Sequence, residues 1–156
     1  MKILHICNII GLLNLMDEKI LKKIQELAQT FSKYVIFTKP FTRELSRLLR
    51  QSKGLEAEIF AKLLIQLKTF ARLKEQIHHF NGNEILHYKV DGLKEIDFYS
   101  LHLQKNKKYA IRLIMVIIKD KAYFLTAFDE KDDKGKRGYE DHLKNAKHIV
   151  KELLDE

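Results

Sequence analysis

Among the residues able to do chemistry, Arg112 is marked out by its surroundings. It lies in the run YAIRLIMVII (109 to 118), whose two period-two faces are otherwise apolar. A guanidinium keeps its charge in any protein setting and is rarely buried without a partner. Two readings stay open at this point. Arg112 reaches a carboxylate on a neighbouring strand, Asp97 or Glu95, or it lines a cleft where an anion binds. Its planar fork suits two oxygens of a phosphate or carboxylate equally. More cations flank the run: Lys105, Lys107 and Lys108 before it, and Lys131, Lys134, Lys136 and Arg137 after it. Groups able to move a proton lie close by in the sequence: His102, Tyr99, Tyr139 and His142. An imidazole ordinarily titrates near neutral pH, which suits it to that work.

Other chemistries find little support. His78, His79 and His87 are potential ligands, but the acidic spacing of a known metal site is missing, so no metal centre and no cofactor is expected. Phosphate-binding loop, dinucleotide fingerprint, nucleophile elbow and zinc-finger spacing are all absent. The single Cys7 excludes an intramolecular disulfide and a cysteine-built zinc site, and fits a reducing cytoplasm. The apolar stretch Ile3 to Met16 is too short to span a bilayer and is interrupted by His5, Asn8 and Asn14. A cytoplasmic protein without a membrane segment is the expectation.

The 156 residues suit one domain with a real core, and an apolar content of 46% excludes disorder. The net charge of +8 points to a polyanionic partner, although solvation alone accounts for such a charge as readily. Aromatic residues follow apolar stripes and are not interleaved with Lys and Arg, so most belong to the core.

The elements that must position these groups are legible from periodicity. Ile20, Leu21, Ile24, Leu27, Ala28 and Phe31 form one helical stripe. A short β-rich run, YVIFT (34 to 38), precedes Pro40, which fits the first turn of a helix carrying Phe41, Leu45, Leu48 and Leu49. After Gly54 a further helix carries Ile59, Phe60, Leu63, Leu64, Leu67 and Phe70 and is expected to continue toward Ile77. Asn81-Gly82-Asn83 marks a turn, and Asp91-Gly92 marks a hairpin between two strand-like runs. The Arg112 strand follows, and Lys119-Asp120-Lys121 turns it into the partner strand Ala122 to Phe128. A closing helix from Tyr139 buries Leu143, Ala146, Ile149, Val150, Leu153 and Leu154. The expected class is α+β: a helical hairpin and other helices packed on one face of an antiparallel β-meander.

From Tyr34 onward this order resembles the RelE/ParE superfamily of bacterial type II toxins, and more closely its HigB-like, phage-related branch. The residues carrying the resemblance are FTKPFTREL (37 to 45), LKEIDF (93 to 98), YAIRLIMVI (109 to 117) and AYFLTAFDEK (122 to 131). In that branch an aromatic and an Arg open the penultimate strand, and a Phe with a Lys just after it closes the last. The matching positions are Tyr109, Arg112, Phe128 and Lys131. Two departures stand out. Ile96-Asp97 occupies a place where the family often carries an Arg, and the first 33 residues have no counterpart in its compact members. The resemblance divides the chain into an N-terminal extension, 1 to 33, and a RelE-like toxin domain, 34 to 156.

The resemblance implies a toxin of a type II toxin–antitoxin system, an mRNA interferase that cuts messenger RNA in the ribosome. The 2′-hydroxyl attacks the adjacent phosphate, leaving a 2′,3′-cyclic phosphate, and the reaction needs no metal. Such a reaction requires a proton acceptor, cations on the phosphorane and a donor for the 5′-oxygen. The matched positions make Arg112 and Lys131 catalytic; His102 and Tyr139 complete the candidate catalytic set for proton transfer, and Lys105, Lys107, Lys108, Lys134, Lys136 and Arg137 are the candidate RNA contacts. The implied partners are a cognate antitoxin protein, the ribosome and mRNA. Asp129 and Glu130 are alternative bases, though carboxylates beside a phosphate repel it. Two rival readings remain: a ParE-like inhibitor of DNA gyrase, and a non-toxic basic adaptor that only binds a partner.

Overall fold

Both faces of the Arg112 strand are covered, as the alternation of apolar residues requires. The computed structural model describes residues 15–90, 95–105, 108–131 and 136–155. In chain order the elements are α1 (Leu15–Thr30), β1 (Val35–Phe37), α2 (Lys39–Gln51), α3 (Glu56–Leu73), a 3-10 turn (Lys74–His79), β2 (Asn83–Tyr88), β3 (Ile96–Lys105), β4 (Ala110–Ile118), β5 (Lys121–Asp129) and α4 (Lys136–Asp155). The chain is thus α+β. Its five strands run in the order β1-β5-β4-β3-β2. β2 to β5 form the antiparallel meander, and β1 adds to it in parallel beside β5. The Asp91-Gly92 hairpin turn and the stretch from Met1 to Asn14 lie outside the described residues.

One core lies between the sheet and the first three helices. α1 contributes Ile20 and Ile24, α2 Phe41, Leu45 and Leu49, and α3 Ile59, Leu63, Leu67 and Phe70. β4 meets them with Ile111, Leu113 and Met115. A second core forms on the opposite face, where Ile114 and Val116 of β4 and Leu125 and Phe128 of β5 meet Ala146 and Val150 of α4. The helices therefore flank the sheet on both sides, which corrects the expectation of a single covered face. The physical cause is the apolar character of both faces of β4. Exposed, either face would leave branched side chains in water at about 25 cal/mol per Å², and the stripe on α4 covers the second one.

Local chemistry fixes the boundaries. Thr38 caps α2 by accepting a hydrogen bond from the N–H of Phe41 at 3.4 Å, and its hydroxyl donates to the carbonyl of Phe124 at 2.8 Å. One side chain thus starts the helix and ties it to β5. α3 ends at Leu73 and does not run on to Ile77, because Lys74 turns to a left-handed φ of 49°. In the Asn-Gly turn, a Cβ on Gly82 would fall 2.3 Å from the ring of Phe80. That ring packs 4.7 Å from Phe70, so the position suits only glycine.

Candidate functional site around Arg112

Three features of the sheet converge on Arg112. It pairs with His102 on β3 and with Phe128 on β5, so the three residues form one row across the strands. The phase of that row depends on a bulge in β5. Ile114 pairs with Thr126 but Met115 pairs with Phe124, leaving Leu125 as the extra residue. Without it, Phe124 and Phe128 would point to the same side. With it, Phe124 enters the first core and Phe128 the second.

The guanidinium is held on several sides. Its Nε donates to the carboxylate of Glu130, and its Nη1 donates to the Ser100 hydroxyl at 2.8 Å. The ring of Tyr139, from α4, lies 5.5 Å from its Cζ, within cation–π range. Tyr139 meets Phe128 edge-on at 5.8 Å, and His142 stacks on Phe128 at 4.1 Å with planes 6° apart. Positions 139 and 142 are one helical turn apart, so α4 presents both rings to the same ring. The Arg112 side chain is 20% exposed and that of Glu130 31%, so the pair is partly screened from water but still reachable.

Arg112 therefore has a carboxylate partner, as one sequence reading allowed, but the partner is neither Asp97 nor Glu95. Asp97 faces the other side of the sheet and meets His87. The two carboxylates after Phe128 also differ from each other. Asp129 is 3% exposed and accepts the N–H groups of Ala110 at 2.9 Å and Lys131 at 3.1 Å, closing the end of the sheet. Glu130 faces Arg112. Next to a cation already in place it acts as an orienting counter-charge.

The candidates divide as follows. Arg112, His102 and Tyr139 share the α4 side of the sheet, with His102 exposed. Lys131 is exposed just beyond Glu130. Lys108 is exposed at the start of β4, its Nζ 5.5 Å from the Tyr109 ring. Lys105 ends β3 opposite Ala110, and Lys136 and Arg137 open α4. Lys107 and Lys134 lie outside the described residues. Tyr99 belongs to the opposite face, packed 5.6 Å from Phe80, and does not join the Arg112 group. Partial burial, then the charges of Asp97 and Glu84, push its phenol above the ordinary value. Tyr109, the aromatic of the resemblance, donates from its hydroxyl to the carbonyl of Gln51 at 3.0 Å and anchors β4 to the end of α2.

Sequence reading missed Ser100. It shares a face with Arg112 only once the β3–β4 register is known, because it pairs with Ile114 and not with Arg112 itself. It also missed a cluster at the β2–β3 edge: His87 contacts Glu84 at 2.8 Å through Nε2 and Asp97 through Nδ1. Among the described residues no helix is long and apolar enough to cross a membrane. No family model matches the chain, and no curated protein or solved structure matches it significantly.

Proposed function

We propose that the chain is a RelE-like toxin of the HigB branch that cuts messenger RNA on the ribosome without a metal ion. The observation that carries this reading is the clustering of Arg112, His102 and Tyr139 on one side of the sheet, around a guanidinium held by Glu130 and Ser100. The element order from β1 to α4 and the meander beside a parallel first strand also suit it.

The chemistry assigns each group a task. The 2′-oxygen attacks phosphorus as its proton leaves, and the bond to the 5′-oxygen breaks as that oxygen gains a proton. Arg112 stabilises the anionic phosphorane through the N–H groups of its fork not held by Glu130 or Ser100. His102 and Tyr139 divide the two proton transfers. Lys131 and Lys108 add positive charge beside the scissile strand.

One observation favours a second reading. Glu130 already satisfies Arg112, which suits a binding surface of the ParE-like, gyrase-inhibiting kind or an adaptor without activity. Cell-free translation with the purified protein, followed by primer extension on the reporter mRNA, separates the readings. Ribosome-dependent cuts that vanish with Arg112→Ala support the nuclease. Intact mRNA with normal translation overturns it, and a gyrase supercoiling assay then distinguishes the other two.

A further inference from the structure

The β2–β3 edge carries a constellation that the Arg112 chemistry does not use. Glu84 and His87 are three residues apart on β2, a spacing that in a regular strand sends side chains to opposite faces. Here Glu84 pairs with Tyr99 while Leu86 pairs with Phe98, so Ile85 is an extra residue that resets the phase. The bulge turns Glu84 and His87 to the same face. His87 then lies directly across from Asp97 of β3. This face looks away from α4, so the constellation and the Arg112 group stand on opposite sides of the sheet.

The contacts are specific. Nε2 of His87 is 2.8 Å from Oε1 of Glu84, and Nδ1 touches Oδ1 of Asp97. That Asp97 oxygen is shut off from solvent and faces the imidazole. One ligand atom from each of the three residues can be chosen so that all lie within 4.8 Å of one another. His78 with Asp120 and His148 with Glu152 form exposed pairs having one carboxylate each. Among the described residues, Glu84, His87 and Asp97 are the one group of three.

We propose that Glu84, His87 and Asp97 bind a divalent transition-metal ion of borderline softness, with Zn²⁺ as its probe. One imidazole nitrogen and two carboxylates offer two negative charges, which balance a dication. The nitrogen selects against Mg²⁺ and Ca²⁺, which prefer all-oxygen sites, and in favour of zinc, cobalt or similar ions. Arms of about 2.0–2.2 Å put tetrahedral ligand atoms roughly 3.3 Å apart, a spacing that rotation of exposed Glu84 and His87 side chains can meet. With three protein ligands, a coordination position stays open to water or a further ligand.

The test uses the full chain, stripped with chelator, dialysed and titrated with Zn²⁺ by calorimetry and with Co²⁺ by visible absorption. The expected result is one saturable site per chain. Its affinity falls at least about tenfold in Glu84→Gln and in Asp97→Asn, and more in His87→Ala. His78→Ala and His148→Ala leave it unchanged. Absence of a saturable site overturns the proposal. So does binding that persists in His87→Ala, or that is lost equally in His78→Ala, since both mark scattered surface histidines. Circular dichroism checks each variant, and because His87 is exposed, the Gln and Asn variants decide the matter if His87→Ala misfolds. The outcome is independent of Arg112: loss of the metal site leaves the nuclease reading untouched, and intact mRNA leaves the metal site untouched.

Discussion

Arg112 is anchored by Glu130, its Nε donating to the carboxylate from the residue just past the end of β5, while Nη1 reaches Ser100 on the other neighbouring strand. The guanidinium is therefore fixed from both sides of β4, and its remaining N–H groups have a set direction. A planar fork holds its donors in fixed directions, whereas an ammonium is a point charge whose three donors rotate on a flexible stem.

That arrangement separates two substitutions by size of effect. Arg112→Lys keeps the charge but loses the shared geometry, and on the proposed nuclease reading mRNA cleavage is expected to fall by about 10²-fold or more, the scale of one lost transition-state donor. Glu130→Gln keeps an acceptor for Nε and loses only the charge, so a drop of about tenfold is expected, the scale of one charge-assisted hydrogen bond. Single-turnover cleavage on programmed ribosomes reads both. Equal loss in the two variants would mean that Glu130 takes part in the reaction itself and does not merely hold Arg112.

Phe124 is the aromatic hub of the first core. Its ring lies 5.4 Å from Phe37, 5.3 Å from Phe41 and 5.9 Å from Phe70, so it joins β1, α2 and α3 to β5. It is 0% exposed. Phe124→Ala is expected to cost about 3–5 kcal/mol, the range for deleting a buried ring from a close-packed site. Urea denaturation measures this. A cost under about 1 kcal/mol would mean that the core closes over the gap.

Much of this architecture was legible from periodicity. Alternation alone divides β4 into two faces that are apolar apart from Arg112, and Ile111, Leu113 and Met115 do part from Ile114 and Val116. The stripe on the closing helix was legible for the same reason. What alternation cannot supply is phase beyond a bulge. Ile85, Leu103 and Leu125 each shift the register, and none carries a local sign such as a glycine that would announce it. Leu125 decides that Phe128 faces Arg112, and Ile85 decides that Glu84 joins His87. The side of the sheet covered by α4 was equally hidden, because an amphipathic stripe says that a face is buried but not against which partner.

The β4–β5 turn carries a second testable cost. Lys119 and Asp120 both take positive φ, 47° and 65°, the mirror-image geometry that matches strand twist in tight hairpins. A left-handed conformation costs an ordinary L-residue roughly 1–2 kcal/mol, and asparagine less. Lys119→Asn should therefore stabilise the fold by up to about 1 kcal/mol. Asp120 is left alone, because it contacts His78 at 2.8 Å. Thermal unfolding reads the gain, and a lower melting temperature would mean that the Lys119 side chain makes a contribution larger than the backbone strain.

His87 supplies a pH dependence for the metal-free chain. Its imidazole is held above the usual 6.5, first by the hydrogen bond and charge of Asp97, then by Glu84 and more weakly by Glu95; partial desolvation opposes them. Lys89 also lies nearby, 3.6 Å from Glu95. A raised value means that the folded chain holds the proton more tightly than the unfolded chain. The stabilising contribution is then complete below about 6.5, the unfolded value, and is lost as pH rises through the higher folded one. With chelator present, proton NMR of the His87 ring should show a midpoint above 6.5 that moves down in Asp97→Asn. The stability difference between wild type and Asp97→Asn should shrink as pH rises across that same window. A midpoint unmoved by Asp97→Asn would detach His87 from Asp97 in solution.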